Sequence, residues 1–187
     1  MRLIDINFDV GKVFQERLAS SKGLDKYKYI MEKVKRTNVA VDAEFQRVFN
    51  RFYKVRRNEE WRRAYYEYFE SVKNASPTFE SIIRYLYEHS RNIEPSFSSK
   101  MLASIFPEKP IWDRYVVQNL NMRLMGATKE EKLKNAIILY ANIEKWYDDF
   151  LKTEKAKECI SEFDRVLPDY KWISEIKKID SILWSIR

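Results

Sequence analysis

Apolar residues recur at three- and four-residue intervals along almost the whole of this 187-residue chain. No run of alternating apolar and polar residues bounded by turn residues interrupts them. Such spacing lays an apolar stripe on a helix, whereas a half-buried strand needs a period of two. Leu24, Tyr27, Ile30 and Val34 mark one helix after Gly23. Phe45, Val48, Phe49 and Phe52 mark the next, entered at Asp42, and Trp61, Tyr65, Tyr68 and Val72 a third, entered at Asn58. Ser76-Pro77 reads as an N-cap with proline at the first helical position, leading into Phe79, Ile82, Ile83 and Leu86. A helix–corner–helix spans about 96–125, turns at Pro107 and Pro110, and is closed by Gly126. Thr128 and Glu131 form a capping box for a long helix through Leu133, Ile137, Tyr140, Tyr147 and Leu151. A shorter helix over about 155–166 stops before Pro168, and a last one from about Trp172 carries Ile173, Ile176, Ile179, Leu183 and Ile186. The expectation is a single all-α domain over residues 1–187 with about eight to ten helices. Only the first residues, to about Asp9, leave room for a short strand or extended arm.

Composition removes several classes of function. With only Gly11, Gly23 and Gly126, the chain has no glycine-rich phosphate loop. Cys159 and His89 are each alone, so a Cys/His zinc site and an internal disulfide are excluded by count, and no cofactor or metal is expected. An unpaired cysteine fits a reducing compartment. No segment has the uninterrupted apolar length of a membrane span, and the start lacks the plan of a signal peptide, so the expected location is the cytoplasm, away from membranes. The net charge of +7 permits polyanionic partners.

That charge is concentrated where the aromatics are. Phe49, Phe52, Tyr53, Trp61, Tyr65, Tyr66, Tyr68 and Phe69 are interleaved with Arg47, Arg51, Lys54, Arg56, Arg57, Arg62 and Arg63, opposed by Glu59 and Glu60. Most of these rings recur at helical spacing and belong to a core; the rest offer a stacking surface for an unpaired base. Guanidinium groups bind phosphate in a two-pronged fashion and stack on rings, so Arg47, Arg51, Arg56 and Arg57 are candidate nucleic-acid contacts, with a solvated helix face as the bland alternative. Arg84 and His89 have the Arg-x4-His spacing of metal-independent helical-bundle ribonucleases, in which arginine stabilises a phosphorane and histidine moves a proton. A surface histidine is the plain alternative.

Lys100 and Asp113 flank the proline corner. Burial against Phe97, Met101 and Trp112 lowers the pKa of a lysine, because desolvation penalises its charged form, and a neutral amine is a nucleophile. Asp113 would then support the developing oxocarbenium charge; a simple N-cap for the next helix is the other reading. Lys100-Met-Leu-Ala-Ser-Ile, a proline, and then Pro110-Ile-Trp-Asp-Arg-Tyr-Val resembles the Lys…Pro-Val-Asp block of helix-hairpin-helix DNA glycosylases of the 8-oxoguanine type. Lys178-Ile-Asp-Ser-Ile-Leu-Trp184 also resembles the closing helix of small bacterial proteins with that fold. The resemblance implies an orthogonal helical bundle that binds DNA and excises a damaged base, with Lys100 as nucleophile and Asp113 as its acid partner. Phe97 and Trp112, from the apolar surround of Lys100, are the candidate pocket residues, and Arg114 is a further candidate nucleic-acid contact. The stretch Ile93–Ser99 has none of the family's hairpin glycines, and the Lys-to-Asp spacing is shorter than the family's. A non-enzymatic helical protein that binds nucleic acid or other proteins is the alternative expectation, and a ribonuclease using Arg84 and His89 the second alternative.

Overall fold

The computed structural model describes residues 22–185, and the arm expected up to Asp9 lies outside them. The described residues are all-α: nine α-helices and one 3-10 turn, with no strand. The chain divides into two compact units, 22–106 and, among the described residues, 107–185.

The first unit contains α1 (Lys22–Lys33), α2 (Ala43–Tyr53), α3 (Glu59–Val72), α4 (Phe79–Ser90) and α5 (Pro95–Ile105). Side-chain caps set most of its helix starts. Asp42 accepts from the Phe45 N–H at 2.9 Å and is itself held by the Thr37 hydroxyl at 2.6 Å. Asn58 accepts from the Trp61 N–H at 3.0 Å. The cap of α4 is Thr78 rather than Ser76: Thr78 Oγ1 accepts from the Ser81 N–H, and Ser81 Oγ accepts in return from the Thr78 N–H. This reciprocal box satisfies two otherwise orphaned donors, which a serine ahead of a proline does not. Lys54 and Arg91 end α2 and α4 in the left-handed region, at φ 54° each.

The core of this unit is an aromatic cluster. Phe45, Phe49, Tyr65, Tyr66 and Phe69 are fully buried. Phe49 meets Tyr66 and Phe69 edge-on, with centroids 5.8 Å apart in both pairs. Edge-on pairs place a positive ring edge on a negative face and add about 1 kcal/mol to burial. Helix α5 is buried from Ser98 through Ile105, so it has no solvent-facing side over that stretch. Its serines are satisfied locally, Ser98 Oγ donating to the Glu94 carbonyl and Ser104 Oγ to that of Lys100, each at 2.8 Å.

The second unit contains α6 (Arg114–Asn119), α7 (Lys129–Phe150), α8 (Glu154–Val166), the 3-10 turn Pro168–Tyr170 and α9 (Glu175–Ser185). The helix expected to run to Met125 stops at Asn119. Asn121 takes a left-handed φ of 50°, and the Met122 N–H returns to the Val117 carbonyl at 2.9 Å. Asparagine tolerates that conformation and ends the helix without a glycine. Gly126 has a different task from closing it: at φ +142°, a Cβ there would lie 2.8 Å from the Lys132 backbone nitrogen. The Thr128–Glu131 box starts α7 as the sequence indicates. Ile143, Trp146, Tyr147 and Phe150 fill the core, with Trp146 stacked on Phe150 at 4.7 Å. The Ser174 hydroxyl donates to the Pro107 carbonyl at 2.6 Å, and Tyr140 donates to the Pro110 carbonyl at 2.8 Å, so the proline segment is tied to this unit.

Candidate functional site

A groove of about 470 Å³ opens in the first unit. Residues 56–58 and the first half of α3 form one wall, and the end of α4 with the segment leading to α5 forms the other. Arg56, Arg57, Trp61, Tyr65 and His89 line it together with two carboxylates, the exposed Glu60 and the buried Glu94, and the amides of Asn58 and Asn92. The starts of α3 and α5 put them there. The Asn58 cap starts α3 so that Trp61 and Tyr65, one turn apart, share a face. Glu94 precedes Pro95 at the start of α5 but makes no side-chain cap bond, and its carboxylate is paired with Arg57 instead.

Arg57 Nη2 donates to both Glu94 oxygens, at 2.6 and 2.8 Å. The carboxylate is buried (6% exposed), whereas the guanidinium is 40% exposed. The guanidinium also lies 5.8 Å from the Trp61 centroid and 5.4 Å from that of Phe97. Trp61 stacks on Tyr65 at 4.9 Å and 17° and meets Phe97 at 5.0 Å. Burial holds the Tyr65 phenol well above its usual range, so it remains a neutral donor, to the Phe97 carbonyl at 3.1 Å. Arg56 is exposed at the groove.

Along the opposite wall, His89 stacks on Tyr85 at 3.9 Å, and Tyr85 stacks on Tyr68 at 3.6 Å and 8°. His89 Nδ1 lies 2.9 Å from the Tyr85 carbonyl. A carbonyl only accepts, so Nδ1 carries the proton. Arg84 is not among the residues lining this groove and is instead paired with Glu80 at 2.7 Å, one turn earlier on α4.

The structure therefore gathers Arg56 and Arg57 in one groove, while Phe97 stands behind it against Arg57 and Trp61. Lys100 reaches the same Phe97 ring, its Nζ 5.2 Å from the centroid, and donates to the Tyr53 carbonyl at 3.1 Å. It is buried, at 8% exposure. Arg51 is exposed on the last turn of α2, and Arg47 is held by Glu44 at 2.5 Å on the same helix. Neither lines the groove.

Trp112, Asp113 and Arg114 belong to the second unit. Trp112 is buried; Asp113 caps α6, accepting from the Tyr115 N–H at 2.9 Å; the Arg114 guanidinium lies 5.7 Å from the Tyr115 ring. This unit also buries charge. Lys177 Nζ meets Asp180 Oδ2 at 2.5 Å, and the Tyr147 hydroxyl lies 3.5 Å from Asp180 Oδ1. Burial raises the Asp180 pKa, and Lys177 partly offsets the rise. Lys178 pairs with Asp164 at 2.6 Å.

Residue types and spacing point to Arg56, Arg57 and Phe97. Glu94, Asn58, Asn92 and the ring face of His89 have no such local signal, because the groove joins segments about thirty residues apart. Comparison with protein-family models, with curated proteins and with solved structures finds no match. No helix among the described residues is long and apolar enough to cross a membrane.

Proposed function

We propose that this protein binds nucleic acid through the groove of its first unit, with guanidinium groups on phosphate and aromatic rings beside the bases. One observation carries the reading: Arg56 and Arg57 enter a groove that also presents Trp61 and His89. Guanidinium and indole side by side suit a chain in which charge and π-face alternate at short range. Asn58 and Asn92 add amide donors and acceptors able to meet phosphate or base edges. The neighbouring basic residues Lys54, Arg62 and Arg63 extend positive charge beyond the groove. Fluorescence anisotropy of a labelled oligonucleotide tests the proposal. Arg56→Glu should weaken binding by about tenfold or more through loss of one phosphate contact and addition of a repulsive charge. The matching reversal Arg165→Glu, in the second unit, should leave binding within about twofold. Equal effects from both reversals would remove the groove from the account.

A second reading, base excision through Lys100, is supported by one feature, the burial of its amine between the Tyr53 and Phe97 rings. A neutral lysine amine is the nucleophile such chemistry requires. The bond from Nζ to the Tyr53 carbonyl must open before the amine attacks a sugar carbon. Borohydride trapping on abasic DNA, lost in Lys100→Ala, is the expected outcome; absence of trapping in the unaltered protein would end this reading.

A further inference from the structure

The rings on the α4 wall narrow the ligand further, in a step that rests on the nucleic-acid reading above. Tyr68 and Tyr85 are parallel within 8° at 3.6 Å, and His89 continues the column at 3.9 Å and 28°. Tyr85 is covered on α3's side by Tyr68 and is followed, one turn along α4, by His89. The imidazole is the end of the column, exposed and lining the groove. Its Nδ1–H donates to the Tyr85 carbonyl, which fixes the ring where it stacks. A held, exposed ring at the end of an aromatic column, facing a groove that carries Arg56 and Arg57, is the arrangement by which a planar base adds one more layer while its phosphate meets a guanidinium.

We infer that the groove takes single-stranded nucleic acid, with one unpaired base laid on His89 as the fourth ring of the Tyr68–Tyr85–His89 column. A duplex does not serve this position, because each of its internal bases already has both faces covered by neighbours. The inference gives His89 a role different from proton transfer: it supplies a surface and leaves the phosphodiester intact. Stacking of this kind is tolerant of base identity, since every base has a π-face, so the site discriminates strandedness more than sequence.

The test compares three labelled probes at one low salt concentration: a short single-stranded DNA, its duplex, and a strand of equal length whose sugars carry no bases. The intact strand should bind about tenfold more tightly than the base-free strand, the lower range of what stacking one base contributes. The duplex should resemble the base-free strand. His89→Ala should reduce affinity for the intact strand alone, bringing the probes within about twofold, while His89→Phe, which keeps a ring, should preserve the preference. His89 is exposed, so neither change removes core packing. Equal binding of intact and base-free strands by the unaltered protein, or a full preference surviving in His89→Ala, overturns the stacking site and leaves the phosphate reading standing. Failure to bind any of the three probes overturns the phosphate reading and this inference with it.

Discussion

Arg57 and Glu94 form an ion pair in which one guanidinium nitrogen reaches both oxygens of a buried carboxylate, at 2.6 and 2.8 Å. On the nucleic-acid reading proposed above, a phosphate would need the donor that Glu94 already holds, so the two would compete for Arg57. Glu94→Gln keeps the shape and one acceptor but removes the charge. It should tighten oligonucleotide binding by about fivefold, on the order of 1 kcal/mol. Unchanged or weaker binding in anisotropy titrations would show that Arg57 serves the fold alone.

The reverse substitution reads out stability. Arg57→Ala strands a buried carboxylate, and urea unfolding should show a loss of about 2 kcal/mol. That is below the ~3–5 kcal/mol of a wholly buried pair, because Arg57 keeps 40% of its exposure. Glu94→Gln should cost clearly less than Arg57→Ala, since it leaves no unpaired buried charge.

Acid titration should expose the cap of α2. The Phe45 N–H, then the Thr37 hydroxyl, hold the Asp42 pKa below its ordinary value against an opposing effect of burial. A depressed carboxylate stabilises the fold at pH values above its unfolded pKa, about 3.9, and the contribution is lost as pH falls through the lower folded value. Asp42→Asn retains a cap acceptor but does not titrate. Its stability deficit at neutral pH should therefore shrink at the acid end, seen as a shallower acid limb in denaturation series.

Asp180 gives the opposite sign. Its pKa is raised by burial, and Lys177 is the partner that keeps the charged form tolerable. In Lys177→Met that pKa should rise further, so the penalty, about 3 kcal/mol at neutral pH, should appear as pH rises through the raised value and fade on acidification. Lys177→Met with Asp180→Leu should recover most of the loss, because no buried charge remains. A penalty independent of pH would show that packing, and not the charge, is what Lys177 supplies.

Helices were the readable part of this sequence, because Asp42, Asn58 and the Thr128–Glu131 box announce their starts through local hydrogen bonds between residues three apart. Where two local solutions compete, the pattern misleads. Thr78 takes the cap from Ser76 because its box with Ser81 satisfies donors on both residues. Asn121 ends α6 two turns before Gly126, since a left-handed asparagine carries no hydrophobic periodicity to mark it. The groove was legible in its arginines and rings but not in its buried carboxylate. Arg56 and Arg57 stand in a basic run, but the Arg57–Glu94 pair spans 37 residues and depends on how α3 and α5 meet. Lys100 shows the same division: its apolar neighbours follow from the helix it sits on, whereas its bond to the Tyr53 carbonyl crosses 47 residues.

The salt dependence of single-strand binding tests the central claim most directly. Each phosphate contact releases condensed counterions, so the logarithm of the association constant should fall linearly with the logarithm of salt concentration, by about 0.7 for each contact to a single strand. The unaltered protein should show such a slope, and Arg56→Ala should make it shallower by about 0.7 while weakening all sequences alike. Binding indifferent to salt, or a slope that Arg56→Ala leaves unchanged, would contradict the assignment of this groove to nucleic-acid phosphates.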